Sequence, residues 1–110
     1  MLFCLTANYT PEGLQAMAKN PSASRRDVVE KLMKAAGGKL VAFYGTIADG
    51  PGGMSIVDID PSMAPAYASV VASFAGIQNV RIQRLFAEDE TMDIRQKSAQ
   101  LQASFRPPGQ

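Results

Sequence analysis

Two apolar strand-like runs around a glycine break constrain this chain more than anything else in it. Between Leu40 and Asp60 the sequence reads LVAFYGTIADGPGGMSIVDID. Segments rich in Val, Ile, Phe and Tyr flank Gly50-Pro51-Gly52-Gly53, which predicts a β-hairpin with a loose tip. Both strands carry apolar residues on both faces, with a few polar ones mixed in. A sheet that is apolar on both sides needs two covers, and the helices this chain can form supply only one. The expected second cover is another copy of the protein, with a pocket between sheet and cover.

The remaining elements follow from periodicity and caps. Leu2 to Tyr9 reads as a first strand, with Phe3, Leu5 and Ala7 on one face and Cys4, Thr6 and Asn8 on the other. Thr10-Pro11-Glu12 has the form of a helix start, and that helix stops near Asn20-Pro21. Ser22 or Ser24 caps a second helix with Val28, Val29, Leu32, Met33 and Ala36 inward, ended by Gly37-Gly38. Strands are expected at Lys39–Ile47, Met54–Asp60 and Asn79–Phe86. A helix with Ser62 as its cap lies between the last two and ends at Gly76. Glu88 to Ser104 suits a final helix with a weak apolar stripe, and Arg106-Pro107-Pro108-Gly109 forms a tail.

Strand, helix, strand, strand, helix, strand is the order of a ferredoxin-like βαββαβ α+β fold, a four-stranded antiparallel sheet with its crossover helices on one face and here an extra C-terminal helix. One domain over residues 1–105 and a tail over 106–110 account for the 110 residues. Val41, Phe43, Val80 and Ile82 are expected on the helix face. Leu40, Ala42, Tyr44, Thr46, Arg81, Gln83 and Leu85 are expected on the open face. The register of the third strand stays open between Met54, Ile56 and Asp58 on one side and Ser55, Val57 and Ile59 on the other, because a one-residue shift exchanges the sets.

Composition narrows the function classes. The net charge of +1 makes no electrostatic case for nucleic acid or an acidic membrane as partner. Arg25-Arg26, the only basic pair, reads as a solvated helix end. The single cysteine allows no intrachain disulfide, which fits a cytoplasmic location. No run approaches the roughly 18 apolar residues of a membrane span, and no secretory leader is evident. With no histidine in the chain, the commonest general base and transition-metal ligand are missing.

Tyr9-Thr10-Pro11-Glu12-Gly13, Lys19-Asn20-Pro21, Gly37-Gly38-Lys39-Leu40, Ala42-Phe43-Tyr44 and Arg106-Pro107-Pro108-Gly109 together resemble the GYD-domain proteins, small bacterial proteins similar to the dimeric α+β barrel superfamily. The resemblance runs over nearly the whole chain. It implies a barrel-like homodimer or larger homo-oligomer with a cavity between sheets, in a superfamily that includes cofactor-free monooxygenases, isomerases and stress-induced proteins. The Gly-Tyr-Asp motif that names the family is not intact, since Ala48 to Gly53 contains no Tyr and forms a longer loop. No role tied to that tyrosine carries over.

Gly50-Pro51-Gly52-Gly53 leads into a strand, whereas phosphate loops lead into a helix, so it reads as a hairpin tip able to act as a lid. Asp60 before Pro61 reads as a cap or turn residue. Asp58 is expected either in solvent or in an ion pair with Arg81 or Arg84. No metal site and no cofactor are expected. An RNA-binding sheet of this topology displays aromatics where Met54 to Asp60 has none. On the open face, Asn8, Tyr44, Thr46, Arg81 and Gln83 are the candidate ligand contacts, because an amide, a phenol, hydroxyls and a guanidinium can orient a carbonyl or hydroxyl compound. The leading expectation is binding of a small organic molecule in a cavity lined by the sheet face of a homo-oligomer. A cofactor-free enzyme acting on a carbonyl or phenolic substrate, and a structural assembly module without ligand, are the alternatives.

Overall fold

The computed structural model describes all 110 residues. Its elements run β1 (Leu2–Tyr9), α1 (Pro11–Lys19), α2 (Arg25–Ala35), β2 (Lys39–Thr46), β3 (Gly52–Asp58), α3 (Ala64–Ala72), β4 (Ile77–Leu85) and α4 (Glu88–Gln102). The strands form one antiparallel sheet in the order β2-β3-β1-β4, the ferredoxin-like arrangement.

Caps set the helix starts. Thr10 accepts the Gly13 N–H at 3.1 Å and Pro11 opens α1 with its φ already helical. Thr10 also donates to the Ala75 carbonyl at 3.1 Å, tying α1 to the turn before β4. Gly13 makes that approach possible, since a Cβ there would lie 2.3 Å from the Gly76 carbonyl oxygen. Of the two serines expected to cap α2, Ser24 does so, accepting from Asp27 N–H at 3.1 Å. Ser62 does not cap α3. The Asp60 carboxylate takes both the Ser62 N–H, at 2.9 Å, and its hydroxyl, at 2.6 Å, making a turn ahead of a helix that begins at Ala64. Those two bonds hold the Asp60 carboxyl below the usual range.

Phe3 and Leu5 of β1, Leu40 of β2 and Val57 of β3 bury against Met33 of α2 and Ala64 and Tyr67 of α3, with Ile59 closing the end. Antiparallel pairing of Leu5 with Ser55 and of Phe3 with Val57 fixes the β3 register, so Ser55, Val57 and Ile59 face the helices and Met54, Ile56 and Asp58 face away. A register shift between Leu40 and Ala42 changes β2. Leu40, expected on the open face, is in the core, and Val41, expected inside, is 49% exposed. A bulge inserts one residue and exchanges the faces of its neighbours, which alternation alone does not reveal.

One polar pair sits in this core. Ser55 is buried, and its hydroxyl meets Tyr67 Oη at 2.8 Å. Burial pushes the Tyr67 phenol up, with the Ser55 bond opposing that shift. Tyr67→Phe leaves the serine hydroxyl unpaired and is expected to cost about 1–2 kcal/mol in urea denaturation. Adding Ser55→Ala to Tyr67→Phe should recover most of that loss, because both partners are then apolar; a double variant whose losses simply add would show the pair is uncoupled.

Helix α4 stands apart. Arg84 holds its first turn, pairing with Glu90 at 2.6 Å while lying between the rings of Phe3 and Phe86. Glu90 also accepts the Ala87 N–H at 3.1 Å. These two bonds, the Ala87 N–H foremost, keep its carboxyl below the ordinary glutamate range. From Met92 to the end of the chain every residue is exposed, Leu101 and Phe105 to 71% and 70%.

Candidate open-face recess

The face of the sheet turned away from α2 and α3 carries a recess at the end where the β2–β3 hairpin turns. Asp49 and Gly50 both have positive φ, 57° and 103°, the backbone that a tight Asp-Gly hairpin turn requires. Contrary to the loose tip expected from its glycines, this turn is fastened. Asn8 donates its amide to the Ala48 carbonyl at 2.9 Å and to the Gly50 carbonyl at 3.2 Å, and Tyr9 N–H reaches the Pro51 carbonyl at 3.0 Å.

The opposite wall comes from β4. Its pairing with β1 slips between Thr6 and Asn8, and Asn79 takes a φ of 55° in the slip. The bulge turns the Asn79 amide toward Asn8, where it donates to Oδ1 at 3.3 Å. Between these walls lies a space of about 500 Å³ bordered by Thr6, Asn8, Thr46, Asp49, Met54, Asn79 and Arg81.

Of the five contacts expected from sequence, the recess brings together Asn8, Thr46 and Arg81. Tyr44 lies on the same face, paired with Met54, but is 58% exposed and stands outside it. Gln83 pairs with Cys4 further along β4 and does not border the recess. Asn8 spends its donors and its acceptor on the walls. Arg81 pairs with no carboxylate in the chain, which leaves a free guanidinium at the rim. Asp58 meets neither Arg81 nor Arg84; the amine of Met1 takes its carboxylate at 2.8 Å and holds its pKa down. Burial pushes the Cys4 thiol up, away from thiolate chemistry. No three acidic, cysteine or histidine side chains come together as a metal would need.

Sequence reasoning overlooked Asn79. Its surroundings, NVRIQRLF, alternate so regularly that they read as an unbroken strand. The one available signal was the residue type, because asparagine tolerates a left-handed backbone better than most.

A four-stranded antiparallel ferredoxin-like sheet, helices on one face and a polar-rimmed recess on the other, defines an α+β protein with one side of its sheet uncovered by its own chain. The chain belongs to the GYD domain family, whose model matches residues 3–94. That match takes in all four strands, the first three helices and the opening turns of α4. No curated protein and no solved structure matches the chain. No helix is long and apolar enough to cross a membrane.

Proposed function

We propose that this GYD-domain protein assembles with copies of itself, and that the open-face recess, closed by the assembly, binds a small organic molecule through a carbonyl or carboxylate group. The observation that carries this reading is the surface left bare. The chain exposes 7810 Å², whereas a compact monomer of 11.8 kDa exposes about 5,900 Å². The excess, about 1,900 Å² on each copy, is well above the roughly 800 Å² per partner of a standard interface and is the size of the larger permanent ones, which bury about 2,000–5,000 Å² in total. The radius of gyration tells the same story: 17.9 Å against about 13 Å for a compact domain of this length.

Several of the exposed apolar side chains fall on two elements. Met92, Ile94, Leu101 and Phe105 lie along α4 and its exit, and Val41 and Tyr44 lie on the outer strand. A helix of about 15 residues is marginal in water without packing, so α4 gains most from a second copy. Within the recess, Arg81 supplies a fixed positive charge with two-pronged donor geometry, and Thr46 a hydroxyl that can donate or accept.

Screening small carboxylates and amides by saturation-transfer NMR tests the recess. Arg81→Gln is expected to weaken the hits about tenfold, as loss of a charged hydrogen bond does, with circular dichroism unchanged. Undiminished binding in that variant removes Arg81 from the site. The bareness of α4 also favours a second reading, assembly alone. A crystal structure of the oligomer with partner side chains filling the recess selects it.

A further inference from the structure

A second cavity lies on the other side of the sheet. Its inner chamber, about 80 Å³, has strand residues such as Leu5 and Gly53 as its floor and Leu32 of α2 and Val71 of α3 as its roof. An outer groove of about 310 Å³ continues it past α1. Tyr9, Arg25, Val28, Phe74 and Ile77 border both spaces and so mark the passage between them. Val28 and Phe74, half bare at 50% and 58%, form an apolar lip.

Besides the paired Ser55 and Tyr67, two polar side chains border these spaces, and both lack partners within the chain. The basic pair at the start of α2 divides its roles: Arg26 is ion-paired with Glu30 at 2.7 Å, whereas the partly buried Arg25 meets no carboxylate of the chain. A cation in the first turn of a helix opposes the macrodipole, so helix stability does not explain Arg25. Tyr9 Oη makes no hydrogen bond within the chain, whereas Tyr67, deeper in the same chamber, is satisfied by Ser55. Gly53 keeps the floor low beneath them, since a Cβ there would come to 3.3 Å from both Tyr9 Oη and Phe43 Cζ.

Arg25 and Tyr9, which border both the chamber and the groove, together match one ligand chemistry. The guanidinium fork fits a carboxylate, the phenol donates a further hydrogen bond, and the apolar groove with the chamber behind it takes hydrocarbon. We propose that this cleft binds a hydrophobic monocarboxylate, a medium-chain or aryl-alkanoic acid, with its hydrocarbon running along the outer groove into the chamber and its carboxylate held by Arg25 and Tyr9. The site lies on the opposite face from the recess and does not depend on the function proposed there.

Octanoate titrated into the full chain, followed by calorimetry and by methyl NMR, tests the proposal. Saturable binding that shifts the methyls of Leu32, Val71 and Ile77 is expected, with 1-octanol at least tenfold weaker. Arg25→Gln should lose about tenfold in octanoate affinity, Arg25→Lys should keep part of it, and Tyr9→Phe should lose severalfold. Arg25 lies outside the buried core, so these variants report on binding even where Gly53→Ala, which narrows the chamber, impairs folding. Equal affinity for octanoate and octanol, undiminished binding in Arg25→Gln, or no saturable binding overturns the proposal. So do octanoate shifts confined to Met54 and Thr46 on the open face. Cleft shifts that follow protein concentration without octanoate would assign the groove to a second copy and overturn it equally.

Discussion

Ending the chain at Thr91 is expected to turn the proposed assembly into single subunits without unfolding the sheet. None of the residues removed belongs to the core: every residue from Met92 onward is exposed, and the buried cluster draws only on residues between Phe3 and Tyr67. The urea midpoint of the shortened chain should therefore approach that of the full chain measured at low concentration, where subunits are apart. Sedimentation velocity decides the matter. The full chain should run as a multiple of 11.8 kDa and the shortened one as a single unit. A full chain that is already a lone subunit at high concentration removes the assembly altogether.

Acid should loosen the same helix, and the sign follows from Glu90. Its carboxyl titrates below the ordinary value because the Ala87 N–H and the Arg84 guanidinium both bond to its charged form. A lowered folded value means the latch contributes fully above the ordinary glutamate pKa of about 4.3 and is lost as pH falls through the lower, folded value. Dissociation should thus begin as the pH drops below about 4, and Glu90→Gln should bring it on at neutral pH.

Gly52→Ala is expected to be the most damaging single methyl in the chain. Gly52 is buried where β3 leaves the hairpin turn, and a Cβ there would sit 2.1 Å from the Ala7 carbonyl oxygen and 3.0 Å from Thr46 Oγ1. The first obstacle is backbone in the central pair of strands, so it cannot swing aside as a side-chain tip would. Relief requires β3 to part from β1, and with it the Asn8 bonds to Ala48 and Gly50. A cost of about 3 kcal/mol, the upper end for overpacking, lowers the melting temperature by more than roughly 10 °C. The small-molecule binding proposed for the recess, which Asn8 and Thr46 both border, should be lost at temperatures where the fold survives. Gly45→Ala serves as the control, because nothing lies within 4 Å of the added methyl, and it should stay within about 0.5 kcal/mol. Equal stability of the two variants would mean the hairpin base yields more easily than its packing suggests.

Local chemistry made much of this fold legible. Thr10, Pro11 and Gly37 punctuate helices as their backbone preferences require, and Phe3, Leu5 and Ala7 alternate onto the helix face as a regular strand must. Legibility failed where a ladder departs from regularity. The slips after Leu40 and at Asn79 come from two-against-one pairing with a neighbouring strand, which is set by the partner as much as by the strand itself. The glycines at the start of β3 look like loop, yet Gly52 and Gly53 pair with Asn8 and Ala7 because only residues without side chains fit there. Asn8, Thr46 and Arg81 were identifiable as one group because alternation sends them to a common face. Tyr44 and Gln83 share that face but not the recess, whose outline depends on the folded-back turn and the Asn79 bulge. The isolation of α4 had no clear signature either, since a weak stripe reads as poor packing rather than none.

Asn8 occupies the middle of the sheet and grips both banks of the recess with one carboxamide, the hairpin turn on one side and Asn79 on the other. The two banks are consequently coupled through that one side chain, alongside the backbone bond from Tyr9 N–H to the Pro51 carbonyl. For the ligand proposed for the recess, walls pinned in this way are expected to favour guests of one width over larger ones.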